Sequence, residues 1–147
     1  KKLGLMLERV EKILPNGKEL YLKISPDLDE YTAKEIIEVC HNHNKTVTGF
    51  TIANTSTYHN PQYIQVSPGK GGVSGEGVYE ASFRTQKLFE KLITQEEYKI
   101  IVCGGISSPE KVKERLTSSK VVGVQLYSPL TFKGPQLLRN IKSYKSY

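Results

Sequence analysis

The stretch Lys99-Ile100-Ile101-Val102-Cys103-Gly104-Gly105-Ile106-Ser107-Ser108-Pro109-Glu110 contains one complete building unit of this protein. Its continuous apolar run predicts a strand at Lys99–Cys103 of the kind found in parallel sheets. The glycine pair ends that strand. Ser108 followed by Pro109 is typical of the first turn of a helix, because the hydroxyl caps a free N–H and proline needs no partner there. The stretch therefore predicts a strand, a short loop and a helix that runs to about Leu116.

The same unit recurs three more times along the chain, after an initial amphipathic helix. That first helix spans Leu3 to Leu14 and ends at Pro15-Asn16-Gly17. Either Asp27 or Asp29 can cap the next helix. Alternating strands and helices predict a parallel sheet covered by helices, either a small doubly wound sheet or one half of a (β/α)8 barrel. The remaining strands, each with its helix, are Leu20–Ile24 with Glu30–Cys40, Gly49–Ala53 with Glu80–Ile93, and Val121–Leu126 with Pro135–Lys142.

The composition is that of an ordinary globular domain. The 147 residues are 37% hydrophobic, and no apolar run approaches the roughly 18 residues that a membrane-spanning helix needs. The net charge of +6 comes from scattered lysines, which disfavours a nucleic-acid partner. Cys40 and Cys103 are predicted to be buried thiols, and the polar run from Cys40 to Asn44 is interpreted as a helix end rather than a metal site. Because no targeting pattern follows Lys1, we expect any targeting segment to lie elsewhere or to have been removed.

Ligands of parallel α/β proteins bind at the carboxyl ends of the strands, and two loops at such ends suit a phosphate group. Gly104-Gly105 follows the third strand and Tyr127-Ser128 follows the fourth, so both can present backbone N–H groups to an anion. In barrels, the loops after strands seven and eight frequently form such a site. If these strands are the last four of a barrel, the two loops therefore match that phosphate site in position as well as in chemistry.

The other strand ends carry groups that suit the rest of a ligand. Lys23, at the end of the first strand, is predicted to be buried and therefore to need an anionic or electron-rich partner. In Asn54-Thr55-Ser56, after the second strand, the Asn54 amide suits a planar heterocycle, with an Asx-turn as the alternative. The glycine-rich run from Gly69 to Gly75 allows a close approach of the backbone to a ligand, with a flexible surface turn as the alternative.

Five motifs, in this order and spacing, resemble the successive signatures of class 2 dihydroorotate dehydrogenases. The resemblance extends from about Leu20 to Ile141 and implies that residues 1–147 form a half-barrel. This half corresponds to strands five to eight of the family's FMN-binding TIM (β/α)8 barrel. The motifs are Lys23-Ile24-Ser25-Pro26-Asp27, Asn54-Thr55-Ser56, Gly71-Gly72-Val73-Ser74-Gly75, Cys103-Gly104-Gly105-Ile106-Ser107 and Val124-Gln125-Leu126-Tyr127-Ser128.

The resemblance implies a cofactor, a substrate and a reaction. Orotate is expected to contact Asn54 and Thr55, and the implied reaction is the oxidation of dihydroorotate to orotate in pyrimidine biosynthesis, with quinone as electron acceptor. No catalytic residue is expected here, because the family's base, a serine, belongs to the first half of the barrel. The implied location is the mitochondrial inner membrane. FMN is expected to contact Lys23, Ala53, Gly75, Gly105, Tyr127 and Ser128.

A half-barrel needs a partner, since it leaves two sheet edges unpaired and is expected to expose an apolar concave face. We expect an N-terminal half-barrel chain or a larger complex. Some positions depart from the family pattern: Ala53 replaces a usual threonine, Val102 replaces a glycine, and 117–120 replaces an Ala-Gly-Ala stretch. Each departure is tolerable alone, but together they support an alternative to the enzyme, a catalytically inactive structural subunit in a larger mitochondrial assembly. A generic phosphate-binding α/β domain is the third interpretation.

Overall fold

The computed structural model describes residues 2–58, 71–94 and 98–144. The described part of the chain alternates strands with helices, and none of its helices is long and apolar enough to cross a lipid bilayer. A short 3-10 helix, Gly75–Val78, precedes the third helix. In chain order the elements are α1 (Lys2–Glu11), β1 (Leu20–Ile24), α2 (Glu30–His41), β2 (Val47–Ile52), α3 (Tyr79–Leu92), β3 (Lys99–Cys103), α4 (Pro109–Arg115), β4 (Val121–Gln125), α5 (Ser128–Lys133) and α6 (Gln136–Tyr144).

The four strands form one parallel sheet whose spatial order, β1-β2-β3-β4, is the order of the chain. A doubly wound sheet reverses its strand order at a switch point, whereas a barrel adds each new strand on the same side of the previous one. The described strands show no reversal. The predicted α/β fold, a partial (β/α)8 barrel, is the architecture that this order supports.

One face of the sheet packs against the helices and forms the core. Phe50 of β2 lies with its ring centroid 5.0 Å from that of Phe89 of α3 and 5.6 Å from that of Tyr98, in edge and tilted arrangements. Ile100 and Val102 of β3 are fully buried beside them. Alternate residues of a strand point to the same face, so these strand residues cover the helix-facing side and their neighbours point the other way.

The opposite, concave face carries charged and polar side chains. Lys23 of β1 and Gln125 of β4 meet over this face, and Lys99 Nζ of β3 lies 2.8 Å from Glu19 Oε1. Tyr21, on the same face as Lys23, donates its hydroxyl to Glu19 Oε2 at 3.3 Å. The expectation of an apolar concave face is therefore wrong at these positions, where charged and polar side chains point inward.

Several predicted boundaries differ from the observed ones. Helix α1 ends at Glu11 instead of Leu14, and β2 begins at Val47 instead of Gly49. The segment after β4, read as a loop from the sequence, forms the short helix α5, which has proline in its first turn and ends at Gly134 with a φ of 63°. The predicted cap of α4 is confirmed, because the Ser108 hydroxyl accepts the N–H of Lys111.

The choice between Asp27 and Asp29 as the cap of α2 is settled by geometry. Asp29 precedes the helix and its carboxylate accepts the N–H of Thr32 at 2.7 Å. Asp27 instead reaches across to the loop that follows β2. The first acidic residue after β1 is thus not used by the helix that follows it.

Candidate functional site

A cavity of about 180 Å³ lies at the carboxyl ends of the four strands. It is lined by residues at the ends of β1, β3 and β4 and by the loops that follow β2, β3 and β4. The structure brings together all the residues predicted for cofactor and substrate contacts: Lys23, Ala53, Asn54, Thr55, Gly75, Gly105, Tyr127 and Ser128. Cys103 also lines the cavity and is half-buried, so the prediction of full burial holds for Cys40 but is wrong for Cys103.

Lys23 is exposed, and the prediction that it is buried is wrong for this chain. Its ammonium extends over the concave face and lies 3.5 Å from Oε1 of Gln125. The reason is its position on β1, an edge strand of the described sheet, where the concave face is open to solvent. A positive charge is nevertheless held at the cavity, next to Gln125 at the end of β4.

Asn54 and Thr55 follow β2 directly and are held by the backbone. The N–H of Asn54 donates to the carbonyl of Ile24 at 2.8 Å, which ties the end of β2 to the end of β1. The Asn54 side-chain oxygen accepts the N–H of Thr55 at 2.9 Å. An Asx-turn bonds the N–H two residues on, so this contact with the next residue is not an Asx-turn. The preceding residue, Ala53, is buried and donates its N–H to Cys103 O at 2.9 Å.

The described part of the glycine-rich run packs against this β2 loop. Ser56 and Val73 exchange two backbone hydrogen bonds, of 3.1 and 2.7 Å. A Cβ atom on Gly72 would lie 2.1 Å from Thr55 Oγ1, so only glycine permits this approach. These contacts disfavour the surface-turn alternative at Gly72 and Val73, whereas Gly69 and Lys70 lie outside the described residues.

Gly105, after β3, has a φ of +69° and no room for a side chain. A Cβ atom there would lie 2.5 Å from Tyr79 Cβ and 2.8 Å from the carbonyl oxygen of Gly75. L-residues with side chains rarely adopt this backbone conformation. The position therefore requires glycine for two reasons, its positive φ and the lack of space for a Cβ atom. The β3 loop and the Gly75 loop consequently pack against each other at the cavity.

The loop after β4 completes the cavity. Ser128 Oγ lies 3.4 Å from Ser74 Oγ, so this loop meets the glycine-rich segment. Tyr127 precedes it and is largely exposed. Three loops, after β2, β3 and β4, thus present glycine backbone, hydroxyl and amide groups to the same space as Lys23.

The family model described as dihydroorotate dehydrogenase matches residues 4–144. The chain belongs to the dihydroorotate dehydrogenase family. Among curated relatives, dihydroorotate dehydrogenase (quinone) of Nostoc punctiforme is 31% identical over an alignment of 147 positions, which covers 95% of this chain and 38% of that protein. The protein of the same name from Myxococcus xanthus is 31% identical over 140 residues, with 95% and 37% covered. The chain therefore spans a little over a third of the length of these relatives.

Solved structures confirm the fold. A crystal structure of DHODH from Eimeria tenella in complex with ferulenol has a TM-score of 0.75 and 24% sequence identity, and the match covers 85% of this chain and 32% of that one. The ligand-free structure from the same organism has a TM-score of 0.73 and 23% identity, with 85% and 34% covered. The partial α/β barrel of this dihydroorotate dehydrogenase family member is thus shared with longer chains.

A polar cluster that was not predicted from the sequence lies next to the cavity. The Glu76 carboxylate accepts hydrogen bonds from Ser107 Oγ and Lys111 Nζ, and Lys133 Nζ donates to the carbonyl of Ser107 at 2.9 Å. Burial raises the pKa of Glu76, but the bonds from Lys111 and Ser107 outweigh it and the net pKa lies below the usual value. The cluster joins the loops after β2, β3 and β4, and no local pattern marks residues so far apart as partners.

A buried arginine supports the end of β3. Arg115 of α4 donates through Nε to Gln86 Oε1 and through Nη2 to Ser82 Oγ at 3.0 Å, and Ser82 in turn donates to the carbonyl of Cys103 at 2.5 Å. Its Nη1 has no hydrogen-bond partner within the described residues. Burial lowers the pKa of Arg115 to about 10, so the side chain stays charged at neutral pH. From the sequence, Arg115 would be an ordinary basic residue at a helix end.

Proposed function

We propose that this chain supplies FMN and orotate contacts of a quinone-dependent dihydroorotate dehydrogenase, which oxidises dihydroorotate to orotate in pyrimidine biosynthesis. The observation that carries the proposal is that residues of five family motifs, spread from Lys23 to Ser128, line one cavity at four strand ends. Membership of the family and relatives named for this quinone-dependent activity support it.

The residues at the cavity fit a phosphorylated flavin. A phosphate is bound by backbone N–H and hydroxyl groups, and the loops of Gly75, Gly105 and Ser128 meet at one end of the space. Lys23 adds a positive charge at the cavity, which suits an anionic ligand. When bound, FMN would supply the two-electron chemistry that connects dihydroorotate to quinone.

Each side chain then has a definite task in the proposed site. Lys23 stabilises negative charge that develops close to its ammonium once the complementary half covers the concave face, because a cation is most effective where water is excluded. Asn54 and Thr55 hold the pyrimidine ring, since an amide offers both a donor and an acceptor and a hydroxyl can serve as either. Ala53 contributes its methyl group and backbone alone, so it offers no hydroxyl to the ligand.

A complementary half-barrel is part of the proposal. Within the described sheet, β1 pairs only with β2 and β4 only with β3, so both edges are available to further strands. A closed barrel has eight strands and about 250 residues. We propose that an N-terminal half-barrel, as a separate chain or within a larger complex, supplies the catalytic base and the quinone contact. Residence at the mitochondrial inner membrane belongs to the same proposal.

The second candidate is a catalytically inactive structural subunit of a larger mitochondrial assembly. The observation that favours it is Ala53, a buried methyl at the cavity where the family usually has a hydroxyl. This candidate retains the fold and the loop contacts but not the ligand.

Isolation of the chain together with its natural partners tests both candidates. The proposed enzyme should contain FMN, visible as flavin absorbance, and should reduce a quinone when dihydroorotate is added. An assembly that contains an N-terminal half-barrel but neither binds added FMN nor oxidises dihydroorotate would contradict the proposal and support the structural subunit. A mitochondrial fractionation of the same cells tests the location.

A further inference from the structure

The Asp27 carboxylate accepts several hydrogen bonds, and Asp27 is not among the residues proposed to contact FMN or orotate. Its Oδ1 accepts the hydroxyl of Ser56 at 2.6 Å, and its Oδ2 accepts both the N–H and the hydroxyl of Thr57, at 2.6 and 2.8 Å. A carboxylate accepts such bonds at both oxygens, and bonds to an ionised acceptor are shorter and stronger than neutral ones. The loop after β1 is therefore tied firmly to the loop after β2.

The charge that these bonds need is present at neutral pH. Burial raises the pKa of the Asp27 carboxyl, but the hydrogen bonds from Ser56 and Thr57 outweigh that effect. Arg84 also lowers the pKa through its positive charge. The net pKa lies below the usual aspartate value, so all three bonds are charge-assisted.

The two residues that Asp27 holds come directly after Asn54 and Thr55. Ser56 is also the residue whose backbone pairs with Val73 of the glycine-rich segment, and Gly72 of that segment packs against Thr55. Before Thr55, the chain is anchored by the hydrogen bond from the N–H of Asn54 to the carbonyl oxygen of Ile24. Asn54 and Thr55 thus lie between a backbone anchor before them and the Asp27 anchor after them.

We infer that Asp27 is a positioning residue, which acts through Ser56 and Thr57 to hold Asn54 and Thr55 in the geometry that binds the substrate ring. This inference rests on the proposed function, since it names the control of the same ring-binding segment. Among the described contacts, the Asp27 carboxylate bonds only to Ser56 and Thr57, whereas the Gly105 and Ser128 loops have supports of their own. The effect of Asp27 should therefore fall on the ring and not on the phosphate.

Asp29 provides a matched control in the same loop. It is also an aspartate that accepts a backbone N–H, but its partner is Thr32 of α2 and not the β2 loop. Asp27→Ala and Asp29→Ala each remove one carboxylate, and the two positions are only two residues apart. Both changes are expected to lower the free energy of unfolding. Only the first removes support from the segment that carries Asn54 and Thr55.

Two measurements test the inference. The first is amide hydrogen exchange of residues 54–57 in the chain itself, by mass spectrometry of overlapping peptides. Asp27→Ala should accelerate exchange there, whereas Asp29→Ala should accelerate it at the start of α2 instead. The second uses the chain assembled with its complementary half, with orotate and FMN as probes. Asp27→Ala should weaken orotate binding about tenfold, the factor that corresponds to about 1.4 kcal/mol, with the FMN affinity unchanged.

The outcomes distinguish a failure of the Asp27 inference from a failure of the proposed function. Unchanged exchange at residues 54–57 in Asp27→Ala overturns the inference, and so does a parallel loss of orotate and FMN affinity, which would indicate a purely structural role. Faster exchange with unaltered orotate affinity overturns it as well. Wild-type assembly that binds neither probe contradicts the proposed function, and the exchange result then shows by itself whether Asp27 supports the segment.

Discussion

The Nζ atom of Lys23 lies 3.5 Å from Oε1 of Gln125, although the two residues belong to β1 and β4, the outer strands of the four-stranded sheet. Adjacent strands are about 4.8 Å apart, so a flat sheet would separate these strands by about 14 Å. Their side chains meet because the sheet curves as part of a barrel wall. The contact places a lysine over the cavity and links the two ends of the site.

Lys23→Ala is expected to weaken FMN binding in the assembled protein by about tenfold or more, because it removes the positive charge held at the cavity. Flavin absorbance and fluorescence titration with FMN measure the effect. Lys99→Ala is the matched control: Lys99 is also on the concave face, but it lies at the start of β3 and pairs with Glu19. Equal losses in the two variants would show that overall charge, and not the position of Lys23, matters.

Gly105→Ala is expected to destabilise the chain by about 1–3 kcal/mol, because the φ of +69° is unfavourable for alanine and the new methyl meets Tyr79 and Gly75. Urea unfolding monitored by circular dichroism measures the change. Gly123→Ala in β4 serves as the control, since a Cβ there meets nothing within 4 Å. Wild-type stability in Gly105→Ala would mean that the β3 turn is not as close to Tyr79 as described.

Arg115→Ala is expected to cost about 3 kcal/mol or more, because it leaves a cavity beneath the rings of Tyr79 and Phe83 and removes the donors to Gln86 and Ser82. Arg115→Met should cost clearly less, since methionine fills the volume and carries no charge to be desolvated. Thermal unfolding compares the two. Arg139→Met, at an exposed position of α6, is the control and should stay within about 0.5 kcal/mol of wild type.

The Glu76 cluster predicts a specific pH dependence. Because the pKa of Glu76 is lower in the folded chain than the ordinary value of 4.5, its ionised form contributes stability above pH 4.5, and this contribution is lost as the pH falls through the lowered pKa. Glu76→Gln should therefore be less stable than wild type at neutral pH, and the difference should shrink in acid. Melting temperatures between about pH 3 and 7 measure it.

Glu80→Gln is the control for that experiment, since Glu80 is an exposed carboxylate of α3. The difference between wild type and Glu80→Gln should vary much less with pH. If Glu76→Gln behaves like Glu80→Gln, the bonds to Ser107 and Lys111 do not hold the loops together in solution.

The sequence correctly indicated the four strands, the helices other than α5, and eight of the residues that line the cavity. Apolar runs, proline and glycine positions and the Ser108 cap are features of neighbouring residues, and they marked all four strands. Apart from Ala53, every residue predicted at the cavity belongs to one of the five motifs, and all of the predicted residues line the cavity. The helix α5 was missed because Tyr127-Ser128-Pro129-Leu130 has turn residues and too few positions to show a helical period.

By itself, then, the sequence determined the repeating strand–helix units and the family, because both depend on residue types at short, fixed spacings. Tertiary structure alone decided the unreversed strand order, the exposure of Lys23, the use of Asp27 by the β2 loop and of Asp29 by α2, and the joining of Glu76 to Ser107 and Lys111. The physical reason is distance along the chain. Most of these contacts join residues about 30 or more positions apart, and only packing of the sheet against its helices brings such residues together.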